Sequence, residues 1–123
     1  MFTLDTNAVI YYLAGDAVTV PVVRKALEEE VPLYLSAITE AELFSFSKLT
    51  PEDERLLDEI IHTVSVIPVD SQIARIAASI RRASRLALPD SLIAATALFT
   101  GSTLLTRNTR DFRKVSGLLI VEV

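Results

Sequence analysis

Cysteine is absent from this 123-residue chain, so neither a disulfide framework nor a thiolate metal site is available to it. Histidine occurs once, at His62, which excludes a ribonuclease working through two histidines. Glycine and proline are scarce, at 3 and 5 residues, and no glycine-rich phosphate loop appears. No apolar run approaches the roughly 18 residues needed to cross a bilayer. No signal peptide precedes the first apolar segment, and the chain reads as a soluble, cytoplasmic protein with no membrane partner. What remains is half hydrophobic, with 23% charged residues, a composition that closes a core rather than staying disordered. Its length predicts one domain spanning residues 1–123.

The net charge of −4 conceals an asymmetry. Residues 1–74 carry 4 Lys+Arg against 13 Asp+Glu, a balance of −9, whereas residues 75–123 carry 8 against 3, a balance of +5. A local cationic face is enough to hold phosphates even on an acidic protein. A solvated helix face with ordinary surface arginines explains the same charges.

Short apolar segments alternate with helical ones. Phe2–Leu4, Leu33–Leu35, Val64–Val69, Thr103–Thr106 and Leu118–Val123 read as strands. Thr6–Leu13 has helical character, and Thr19 is the expected cap of a second helix ending among Glu28, Glu29 and Glu30. Ser36 or Thr39 starts a third helix. Thr50, Pro51, Glu52 and Asp53 form a strong start signal for a fourth. Asp70 caps a helix with Ile73, Ala74, Ile76, Ala77 and Ile80 on one face. Pro89 opens a helix that is apolar almost all round as far as Gly101 and is therefore expected to be buried. The pattern predicts an α/β fold with helices around a mainly parallel sheet.

Within that frame four carboxylates attract attention. Asp5 directly follows the first strand, where parallel sheets collect ligands, although a plain helix N-cap explains it equally well in isolation. Asn7 stands two residues on, placed to orient that carboxylate. Glu42, taken at 100° per residue, falls between Phe46 and Leu49 and close to Ile38, inside an apolar arc. A carboxylate there costs free energy unless it is paired or binds a cation. Asp90 sits in the first turn of the buried helix, where an acid also simply complements the helix dipole. Asp111 lies beyond the Thr103–Thr106 strand, with Asn108 three residues earlier as an equal candidate. Acids without neighbouring His or Cys suit a hard cation with oxygen ligands.

The segments Leu4-Asp5-Thr6-Asn7-Ala8-Val9-Ile10, Ser36 to Leu43, Leu88-Pro89-Asp90-Ser91-Leu92-Ile93 and Leu105-Thr106-Arg107-Asn108-Thr109-Arg110-Asp111-Phe112 resemble the ordered motifs of PIN-domain nucleases. The likeness covers essentially the whole chain and is nearest to the ribonuclease toxins of VapBC toxin–antitoxin pairs. It implies a three-layer α/β/α fold with acids gathered at one sheet edge, and it matches Asp5, Glu42 and Asp90 to the main acidic positions. The family often has Asp where this chain has Asn108, so the fourth position stays open between Asn108 and Asp111.

The expectation is a metal-dependent endoribonuclease and toxin, with Asp5, Asp90, Glu42, Asn108 and Asp111 around Mg²⁺ or Mn²⁺. Asn7, Ser91 and Thr106 would orient these groups, while Arg107, Arg110 and Arg113 would hold the RNA backbone. Water as nucleophile would leave a 5′-phosphate. An RNA substrate, an antitoxin and a second copy of the chain are the implied partners. The main alternative is a catalytically weak or inactive RNA- or partner-binding module on the same fold, for which Asn108 is the best support. A pocket for aspartyl-phosphate chemistry fits less well, because Asp5-Thr6-Asn7 lacks a second Asp.

Overall fold

Five strands pair in one all-parallel sheet in the computed structural model, which describes residues 1–123. They are β1 (Phe2–Leu4), β2 (Leu33–Ser36), β3 (Ser65–Ile67), β4 (Thr103–Thr106) and β5 (Ile120–Glu122), in the order β3-β2-β1-β4-β5. The chain steps outward from β1 to β2 and β3, then returns across β1 to lay down β4. Strand order therefore reverses between β1 and β4, and their carboxyl ends flank the crevice where such sheets place ligands.

Seven helices cover the sheet: α1 (Thr6–Leu13), α2 (Thr19–Glu28), α3 (Ala37–Leu43), α4 (Pro51–Thr63), α5 (Ser71–Ser84), α6 (Leu88–Thr100) and α7 (Thr109–Phe112). Side chains alternate across a strand, and β4 shows what that does to the core. Leu105 joins Leu4, Leu35, Val9, Val23 and Leu57 under α1, α2 and α4. Leu104 joins Ile73, Ile80, Ile93, Ala94 and Phe112 under α5, α6 and α7. Two apolar layers on the two faces of one sheet make the three-layer α/β/α sandwich. Helix α6, buried from Ser91 to Ala97, is apolar all round because it lies between the sheet and α5.

Local signals explain most boundaries. Thr50 and Asp53 form a reciprocal capping box at the start of α4, and the Asp70 side chain accepts from the Ile73 amide to start α5. Gly101 ends α6 at φ +67°, a left-handed conformation that costs glycine little. Three details differ from the sequence reading. Asp16, rather than Thr19, accepts the Val18 and Thr19 amides at the head of α2, because its carboxylate reaches forward from the preceding turn. Helix α3 stops at Leu43, so Phe46 and Leu49 do not extend its apolar arc. The segment after β4 contains the extra short helix α7, held by Phe112 in the core. Leu57 and Ile60 on α4 are likewise core residues.

Candidate active site

Asp5 leaves the end of β1 and caps α1. Its Oδ1 accepts from the Ala8 amide at 2.7 Å, and its Oδ2 accepts from the Thr106 hydroxyl at 2.5 Å. Thr106, at the end of neighbouring β4, in turn accepts the Asn108 amide at 2.9 Å. Asp5 is thus both a cap and a group held at the crevice. It is only 5% exposed. Burial pushes its carboxyl above the ordinary range, the Thr106 and Ala8 hydrogen bonds oppose that rise, and the Glu42 charge adds to it.

Glu42 approaches from α3. It is half-buried, and Thr6 donates to its Oε1 at 2.7 Å. Thr6 also reaches the Thr39 hydroxyl at 3.2 Å, so a pair of hydroxyls ties the heads of α1 and α3 together beside the acid. Asp90, in the first turn of α6, is half-buried. Burial raises its carboxyl most, and the charges of Asp5, Glu42 and Asp111 raise it further.

Asp5, Glu42 and Asp90 line one cleft of about 560 Å³ together with Thr6, Asn7 and Asn108. Ile10, Ile38, Ile93 and Phe46 supply much of its apolar wall. No Lys, Arg or His side chain is among the lining residues, so mutual repulsion of the acids is not relieved from within. No three of the Asp, Glu or His side chains stand close enough to share one ion as they are oriented. The chemistry of the set nonetheless suits a hard divalent cation: carboxylate, amide and hydroxyl oxygens without nitrogen or sulfur donors.

Other predicted residues fall at different distances from this cleft. Asn7 is exposed and lines it. Of the two fourth-position candidates, Asn108 lines the cleft, whereas Asp111 stands behind it, accepting from the Asn108 amide group at 3.1 Å and lying 3.8 Å from Lys114 Nζ. Ser91 is fully buried and turns its hydroxyl to the Leu86 carbonyl, because that face of α6 packs on the α5–α6 connection. Arg107 does not face the cleft as a free cation. Its Nε donates to the Val123 carbonyl, its Nη2 pairs with Asp16 at 2.8 Å, and its guanidinium lies over the Tyr11 ring. Arg110 and Arg113 are exposed on and just beyond α7. His62 is exposed on α4 and donates to the Asp58 carbonyl. Thr6 and Thr39 escaped the sequence reading, since no local pattern pairs Thr6 with a glutamate 36 residues away.

Known proteins share this fold. Several chains of solved VapBC and related complexes superpose over nearly their whole length. The VapBC2 complex of Rickettsia felis gives a TM-score of 0.86 at 21% identity, covering 99% of this chain and 98% of that one. A toxin–antitoxin complex from Klebsiella pneumoniae gives 0.80 at 30% identity, covering 98% and 96%. DNA-bound VapBC from Salmonella typhimurium gives 0.81 at 26% identity, again covering 98% and 96%. No curated protein matches the sequence significantly. The PIN domain family matches residues 2–118, and with the three-layer parallel sheet and its crevice this establishes that the chain belongs to the PIN domain family.

Proposed function

We propose that this protein is a metal-dependent endoribonuclease, the toxin of a toxin–antitoxin pair, with Asp5, Glu42, Asp90 and Asn108 as its working groups and Asp111 supporting Asn108. The observation that carries the reading is the convergence of three acids from β1, α3 and α6 on one cleft at the switch point, with the Asp90 carboxyl raised by burial and by its acidic neighbours. PIN domains are generally nucleases, and the similar solved chains come from toxin–antitoxin complexes.

When bound, Mg²⁺ or Mn²⁺ supplies an activated water and neutralises charge on the scissile phosphate. Asp5, Asp90 and Asn108 present the oxygens that would hold it. Thr106 and Thr6 keep Asp5 and Glu42 from swinging away, which limits the reorganisation needed on binding. Glu42 is placed to accept a proton from the attacking water or to orient it. Ile10, Ile38 and Ile93 set apolar surface beside the acids, which strengthens charge interactions along that wall. Arg110 and Arg113 remain exposed to hold flanking phosphates.

An antitoxin partner fits the surface beside the site. A largely apolar hollow of about 440 Å³ shares Ile10 and Phe46 with the acid cleft and shares Leu13 and Leu56 with a third hollow lined by α1, α2 and α4 residues. The apolar hollow thus abuts the acid cleft at Ile10 and Phe46. A segment with apolar side chains and a terminal basic one is complementary to the two. Homodimer formation and a cytoplasmic location belong to the same reading and rest on the family resemblance.

The test incubates single-stranded and structured RNA with the protein in Mg²⁺, in Mn²⁺ or in chelator, beside Asp5→Asn and Asp90→Asn. Cleavage leaving 5′-phosphates, lost in chelator and in both variants while RNA binding persists, is the expected result. Cleavage that survives chelation and both substitutions would sink the proposal. RNA binding without any cleavage by the unaltered protein would favour the second reading, an inactive binding module, which the amide at Asn108 supports.

A further inference from the structure

We infer that Arg107 is a positioning residue whose side chain, anchored behind the cleft, fixes the Thr106–Asn108 segment that grips Asp5. The kinetic part of its test rests on the nuclease reading; the structural part does not.

Thr106 ends β4, and Arg107 and Asn108 follow it in the connection to α7, where Asn108 lines the cleft and Arg107 does not. On the cleft side, the Asn108 amide donates to Thr106, and Thr106 donates to Asp5. On the opposite side, Arg107 is held by three separate elements. Its Nε donates to the Val123 carbonyl at 2.6 Å beyond β5. Its Nη2 donates to Asp16 at 2.8 Å in the turn before α2. Its guanidinium carbon lies 4.0 Å from the centre of the Tyr11 ring on α1.

Asp16 is itself fixed, accepting the Val18 and Thr19 amides and the Thr19 hydroxyl. These bonds hold its carboxyl down to about 2, so it is charged throughout the working range. An isolated pair this exposed contributes little to stability. Three directional contacts on one planar group instead restrict its orientation, and with it the backbone that carries it. The Arg107 Nε and Nη2 donors are thereby engaged within the protein.

Two substitutions separate the roles. Arg107→Lys keeps the charge but loses the planar fork. Asp16→Ser keeps a capping oxygen for α2 and leaves the arginine itself unaltered, but is too short to meet the guanidinium. The first measurement is hydrogen exchange of the Asn108 amide by NMR. Positioning predicts on the order of 10-fold faster exchange in both variants, with β1 amides unchanged. The second is steady-state cleavage of RNA. Positioning predicts a kcat loss on the order of 10-fold with KM within about twofold in both variants. Phosphate binding predicts the reverse: a raised KM for Arg107→Lys, and an unchanged or lowered KM for Asp16→Ser, which frees the guanidinium.

Unchanged Asn108 protection in both variants overturns the inference, as does the reverse kinetic pattern. If Arg107→Lys fails to fold, Asp16→Ser decides alone. If the unaltered protein cleaves no RNA, the nuclease reading fails on its own and the exchange measurement still decides the role of Arg107.

Discussion

Thr106→Val changes almost no volume at a site with 0% exposure, yet it removes the hydroxyl that donates to Asp5 and accepts from the Asn108 amide. A hydrogen bond to a charged group is worth roughly 1.5–3 kcal/mol, and the partner left behind is a carboxylate with 5% exposure. The lost Asn108 contact adds less, because it is a hydrogen bond between neutral groups at a half-buried residue. The expected destabilisation at neutral pH is therefore about 2 kcal/mol. For a chain of this size that corresponds to a fall in Tm of roughly 8 °C.

The pH dependence identifies the cause. Burial already raises the Asp5 carboxyl, and the Thr106 bond is the larger of the two hydrogen bonds opposing that rise. Without it, the folded variant takes up a proton at higher pH than the unfolded chain does. Protonation relieves the unsatisfied charge, so the penalty should shrink as pH falls from neutral toward the ordinary carboxylate range. Urea unfolding in chelator at pH 7.5 and pH 5 measures this, with Thr106→Ser as the variant that restores the donor. A penalty below about 0.5 kcal/mol at pH 7.5, or one equal at both pH values, would refute the reasoning.

Asp90→Asn should stabilise the metal-free protein at neutral pH while removing RNA cleavage, since the Asp90 carboxyl is raised by burial first and then by Asp5, Glu42 and Asp111. The sign is that of a raised acid: its cost is full above its folded value and is relieved as pH falls through that value toward 3.8, so wild-type stability in chelator should rise over that interval and the Asn variant should lose this contribution. Urea midpoints across pH test it, and an Asn variant less stable than wild type at neutral pH would count against it. Phe112→Ala should cost roughly 3–5 kcal/mol, because the ring is 1% exposed and a four-residue helix has little stability of its own. Chemical denaturation measures that loss, and a cost under about 1 kcal/mol would show that α7 is held by something else.

Much of the architecture was legible because its signals are local. The β-branched or apolar segments that became β1 to β5, the Thr50-Pro51 and Asp70 starts, and the all-apolar stretch after Pro89 each carry their own periodicity or cap. The boundaries that moved did so through contacts the local pattern does not contain. Asp16 reached forward to take the cap expected of Thr19, and α3 ended before the residues used to extrapolate its apolar face. Glu42 nevertheless lines the cleft, held there by Thr6, so the residue stood out although the arc drawn for it was too long.

Residue type and order alone determined that oxygen-donor acids follow or flank apolar segments in a parallel α/β pattern, because strand and helix periods are written in nearest-neighbour spacing. Tertiary structure alone decided which of those acids share a cleft, and it placed Asn108 at the wall with Asp111 behind it. It also turned Ser91 and Arg107 away from the cleft into packing and anchoring roles. Those outcomes depend on the order β3-β2-β1-β4-β5, which brings the ends of β1 and β4 side by side. A hydrogen bond between residues 101 positions apart exists only once that sheet has closed.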